Sequence, residues 1–164
     1  MIYGFKESLI TTEREKMGKI FEDEFMDIQS GIISLCLEAL NDIKADKIFA
    51  YASMEKYSTS FNAFFEINGE IKTTNKTRMP VAIQRALLRE GISDLEKIRK
   101  VCEKYKQPCP TEMKMYYEVG TKKYQADYKY EPVCCAETGV DISEVFLAWV
   151  DEVKKNKQEG KELI

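Results

Sequence analysis

The chain of 164 residues contains no histidine. That absence removes the commonest general base near neutral pH, every Ser-His or Cys-His nucleophile pair, and the usual imidazole ligand for zinc or iron. Its five cysteines, Cys36, Cys102, Cys109, Cys134 and Cys135, are odd in number and have no C-x-x-C spacing. Reduced thiols packed as small apolar side chains are therefore expected, with no zinc site. No stretch approaches the roughly 18 apolar residues of a membrane span, and no basic segment followed by an apolar run opens the chain. A cytoplasmic protein without membrane contact is expected. Phosphate-binding and nucleophile signatures, G-x-x-x-x-G-K-[ST], G-x-G-x-x-G and G-x-S-x-G, are missing too. These gaps leave little for an enzyme: no catalytic residue, metal or cofactor is expected.

What is present is globular. Apolar residues make up 44% and charged residues 32%, enough for one solvated domain with a real core. The reading is a single domain over 1–155 and a flexible polar tail over 156–164, where Lys, Gln, Glu and Gly dominate. Net charge is −3, but it is unevenly spread. Residues 1–55 hold eleven acids against six bases, whereas residues 72–107 hold ten bases against four acids. Those bases, Lys72 to Lys106, are read as the outer faces of two amphipathic helices and not as a nucleic-acid groove, because the whole chain is acidic. The acids of the first helix, with Asp23 and Asp27 on one side, are likewise read as its solvated face and not as a cation site.

Periodicity supplies the elements. Thr11 or Thr12 is expected to cap a first helix. Its apolar stripe is Met17, Ile20, Phe21, Phe25, Ile28, Ile32, Leu35, Ala39 and Ile43, with Ser30-Gly31 as a weak point where it bends or divides. Strands follow over 48–54 and 61–67, then an Asn68-Gly69 hairpin turn and a third strand over 70–74. Pro80 opens a helix that stops at Gly91, and Ser93 with Glu96 caps another ending before Gln107-Pro-Cys-Pro110. Residues 113–119 and 124–130 alternate as a strand pair with one wet face: Glu112, Lys114, Tyr116 and Glu118. Tyr117, Tyr124, Tyr128 and Tyr130 are candidates for its core side. Asp141 caps a last helix whose inner face is Val145, Phe146, Trp149 and Val153. The sum is an α+β domain of order α-βββ-αα-ββ-α, with about five antiparallel strands.

One surface stands out. Tyr116, expected to be exposed beside Glu118, lies in a span that also holds Asp127, Lys129 and Glu131, with Glu137 and Asp141 following. Aromatic rings beside carboxylates on a rigid sheet suit the binding of a basic protein.

The segment Pro110-Thr-Glu-Met-Lys-Met-Tyr-Tyr-Glu-Val-Gly-Thr-Lys-Lys-Tyr-Gln-Ala-Asp-Tyr-Lys-Tyr-Glu131 resembles the late strand pair of YezG/EsaG-like immunity proteins. Ile48-Phe-Ala-Tyr-Ala, Ser60-Phe-Asn-Ala-Phe-Phe and the helix Leu95–Tyr105 resemble earlier parts of the same family. Residues 40–47 depart from it: Leu-Asn-Asp-Ile-Lys-Ala-Asp-Lys stands where the family has an Ile-Pro…Trp run. The resemblance implies an antitoxin that binds and neutralises a cognate secreted bacterial toxin, a nuclease among the family's known partners. The toxin-binding residues would then be Tyr116, Glu118, Asp127, Lys129, Glu131, Glu137 and Asp141. Two other readings stay open: a secretion chaperone or adaptor for an exported effector, and a carboxylate-metal hydrolase.

Overall fold

A computed structural model describes residues 2–163, with side chains from residue 13 onward. Helix α1 spans Ile2–Leu40, β1 Lys47–Glu55, β2 Ser58–Ile67, β3 Glu70–Thr73, α2 Val81–Lys104, β4 Glu112–Glu118, β5 Tyr124–Lys129 and α3 Ile142–Gln158. The five strands form one antiparallel sheet in the order β3-β2-β1-β4-β5. This is the expected α+β class, with one helix fewer than the sequence suggested.

The missing boundary is at Gly91, which is buried inside α2. Glycine is there for closeness: a Cβ at this position would overlap the Phe61 ring on β2. The helix therefore continues through the glycine, and Ser93 and Glu96 are interior residues with no end to cap. The same holds for α1, which runs back past Thr11 and Thr12 and straight through Ser30-Gly31. At about 1.5 Å per residue it is roughly 58 Å long. Residues 13–20 are all exposed, so Met17 and Ile20 leave the expected core stripe; packing begins at Phe21. Ile43 lies past the helix end, which Asn41 closes in the left-handed conformation at φ 51°.

Alternation decides which face each strand buries. Ile48, Ala50 and Ala52 of β1 and Phe61, Ala63 and Phe65 of β2 pack with Met113 and Met115 of β4 against α1 and α2. There Gln29 of α1, fully buried, accepts hydrogen bonds from the hydroxyls of Tyr124 and Tyr128 (3.0 Å for the latter), which fixes α1 on β5. Arg99 is not part of a solvated face either. Its guanidinium donates to the carbonyls of Glu55 (2.7 Å) and Ser58 (3.1 Å), clasping the β1–β2 turn.

The opposite sheet face, expected to be wet, is covered by α3. Phe49 and Phe64 stack with ring centroids 4.5 Å apart, and Trp149 meets Phe64 edge-on at 4.9 Å. Tyr51, Tyr116, Phe146, Val150 and Val153 complete this second core. Aromatic pairs of this kind each add about 0.5–1.5 kcal/mol beyond their area burial. Helix α3 includes residues 156–158 of the segment read as a tail, and Leu163 packs on the same cluster.

Candidate functional site

Helix α3 does not cover its whole sheet face. Register places Ser53, Glu112 and Lys129 in one row across β1, β4 and β5, and Tyr51, Lys114 and Asp127 in the next. Helix α3 lies over the β1 end of these rows and leaves the β5 end open. The result is a cleft of about 290 Å³ between α3 and the β4–β5 edge. Its apolar lining is Val133, Val140, Val145 and Trp149, and its charged lining is Glu112, Lys114, Lys129, Glu144 and Glu152.

Glu112 sits at the bottom, 2% exposed. It accepts a 2.6 Å hydrogen bond from the Tyr51 hydroxyl, and the Lys114 and Lys129 ammonium groups each lie 3.9 Å from its other oxygen. Burial, and then the hydrogen bond to Glu112, push the Tyr51 phenol well above its ordinary range, so it remains a donor at any physiological pH. Lys114 also lies over the Trp149 ring, 5.7 Å from its centroid.

The residues singled out from sequence divide into three groups. Asp127 and Lys129 point from β5 toward the α3 side and are exposed. Glu131, Glu137 and Asp141 are exposed along the connection between β5 and α3, at the same end of the sheet. Asp141 is the α3 cap, accepting from the Ser143 amide at 2.8 Å. The Ser143 hydroxyl and amide together hold its carboxyl below the usual range. Tyr116 departs from expectation: it is 7% exposed beneath α3, so it offers no ring to a partner. Burial, with a 3.0 Å hydrogen bond to Glu118, raises its phenol. Glu118 thus belongs with Tyr116, at the far end of β4 and about 20 Å along the strand from Glu112 at about 3.3 Å per residue.

The connecting loop is fastened from below. The buried Glu55 carboxylate accepts from the amides of Val133 (2.8 Å) and Cys134 (3.1 Å), and the Ser53 hydroxyl lies 3.5 Å from the Cys134 sulfur. The Cys134 and Cys135 sulfurs are placed side by side as a vicinal pair, while Cys36, Cys102 and Cys109 are free. Burial pushes the Cys36 thiol up to about 12. Cys134 is on the α3 side of the sheet, whereas Cys102 is in the core under α1 and α2. Among the described residues no group of three or more Cys, Asp or Glu has the geometry to hold a metal ion.

Glu55, Glu112 and Tyr51 were not found from sequence. The available signal was β1 itself: Ile48-Phe-Ala-Tyr-Ala has no polar residue on either face, which marks a strand covered on both sides. With that face covered, the acids on it become buried groups in need of partners.

No protein-family model matches the chain, and no curated protein matches it. No helix among the described residues is long and apolar enough to cross a membrane.

Proposed function

We propose that this protein acts by stoichiometric binding to another protein, as an immunity protein that neutralises a secreted bacterial toxin, in keeping with its resemblance to YezG/EsaG-like proteins. One observation carries this reading. The open end of the α3 face is an apolar-lined cleft whose exposed acids are Glu144 and Glu152, and Asp127, Glu131 and Glu137 are exposed on β5 and on the connection that leads from it to α3. The anchor is not Tyr116 but the exposed aliphatic surface of Val140 and, on the outer side of α3, Leu147. A nuclease needs a basic groove to hold phosphates. An acid-rimmed cleft with an apolar lining would receive an Arg or Lys from such a groove: the stem against Val140 and Trp149, the charge against Glu144 or Glu152. Stacked cores on both sides of the sheet hold this surface rigid, which lowers the entropic cost of association.

The test is capture of the partner from the native cell with the tagged full chain. The proposal requires one protein of basic surface, bound one to one, and loss of that complex when Glu144 and Glu152 are both replaced by Lys. A chain that captures nothing, or that binds equally well after the double replacement, contradicts it.

A further inference from the structure

Three of the bases read from sequence as helix surface, Lys72, Lys76 and Arg78, do not lie on a helix. Lys72 is on β3, Lys76 ends the short 3-10 turn that follows it, and Arg78 lies in the connection to α2. With Lys44, from the loop between α1 and β1, they line a cavity of about 360 Å³ whose one acid is Asp42. Asn68, at the β2–β3 turn, also lines it. Register puts this cavity at the end of the sheet where Lys47 pairs with Glu66, opposite the end that carries the candidate cleft.

We propose that this cavity binds a small anion carrying two linked phosphoryl groups, of the pyrophosphate class. Four cations converge on one concavity and a single carboxylate opposes them, leaving an excess of three positive charges. Neighbouring acids do not satisfy them. Lys72 has only a loose partner in the exposed Glu70, at 3.7 Å. Among the described residues, the side chains of Lys44, Lys76 and Arg78 make no ion pair or hydrogen bond. Glu66, the nearest buried carboxylate in the register, is committed on the α3 side of the sheet to Lys47 and Lys157.

The frame that displays these charges is ordered. The Thr77 amide (3.2 Å) and hydroxyl (2.6 Å) both bond the Thr74 carbonyl, and the Met79 amide bonds the Thr77 hydroxyl at 3.2 Å. The turn is therefore set before a ligand arrives, and Arg78 can offer a two-pronged donor while the lysines act as point charges. A diphosphate, with about three negative charges near neutral pH, matches the excess that Asp42 leaves, which a carboxylate or single phosphate does not. A concave site favours such a small ion over the extended backbone of a nucleic acid.

The experiment is calorimetric titration of the full chain with sodium pyrophosphate at low ionic strength, in phosphate-free buffer. The expected result is saturable one-to-one binding, weaker for orthophosphate. It should fall by more than about tenfold in the Lys76→Glu/Arg78→Glu variant and not change in a Lys154→Glu/Lys155→Glu control of equal charge on α3. Absence of saturable heat, or an equal loss in the control, overturns the proposal. So does tighter binding of a short DNA duplex than of pyrophosphate, which would make the site a backbone contact. If the double reversal impairs folding, as read by circular dichroism, Lys44→Ala/Lys76→Ala replaces it with the same expectation. Binding here is independent of the protein partner proposed above, because the two sites sit at opposite ends of the sheet.

Discussion

The hydroxyl of Tyr51 on β1 donates a 2.6 Å hydrogen bond to the Glu112 carboxylate on β4, beneath α3. Replacing Tyr51 with Phe keeps the ring in the second aromatic core but leaves a buried acceptor with two lysines at 3.9 Å as its nearest relief. The expected loss is about 1–3 kcal/mol. Urea unfolding followed by circular dichroism checks it: the midpoint should fall with an unchanged slope.

Gly91→Ala should destabilise the protein even though alanine is the better helix former by about 1 kcal/mol. The new methyl overlaps the Phe61 ring, which is itself packed in the core at only 5% exposed. Overpacking costs about 1–3 kcal/mol, so the net change is a loss. Adding Phe61→Leu should return part of it, giving a favourable coupling in a double-mutant cycle.

Glu66 sets an acid limit on stability. Burial pushes its carboxyl up, but the ammonium groups of Lys157 and Lys47 outweigh burial and hold it below its ordinary value of 4.5. A depressed carboxyl stabilises the fold above its unfolded value, and that contribution disappears as pH falls through the folded one. Melting temperature should therefore decline below about pH 4.5 more steeply in the native chain than in Glu66→Gln. Equal pH profiles for the two would contradict the ion-pair assignment.

Charge and fold can be separated at the candidate surface. Asp127, Glu131 and Glu137 are exposed. Their joint replacement by Lys should slow association with a basic partner by more than about tenfold at low salt, with the difference shrinking as salt rises. The melting curve should not move. Asp141 behaves differently because its carboxylate caps α3. Asp141→Ala should loosen the first turn of α3, read as faster amide hydrogen exchange, whereas Asp141→Ser should preserve it.

Much of the architecture was legible in the chain. The 3.6-residue and two-residue periods located all five strands, and Asn68-Gly69 forms the expected turn, with φ of 51° and 79°. Asp141 caps as anticipated. The failures share a cause: local signals cannot report what a neighbouring element requires. Gly91 reads as a helix stop, yet the close approach of Phe61 on β2 is what requires it. Tyr116 reads as exposed because Glu118 shares its face, yet α3 closes over it in the second core. Arg99 reads as solvated, yet it serves the β1–β2 turn. The acids following β5 were visible as a cluster, but the cleft beside them was not, since Glu112, Lys129 and Trp149 meet only through register.

Inhibition by one-to-one binding, as proposed, is read out by a titration of activity. The partner captured from the native cell is assayed for nuclease activity on DNA and RNA while the purified chain is added in increasing ratio. Activity should fall linearly to nothing at one equivalent, and should persist when the Glu144→Lys/Glu152→Lys chain is added instead. Undiminished activity at several equivalents of the native chain would contradict the claim.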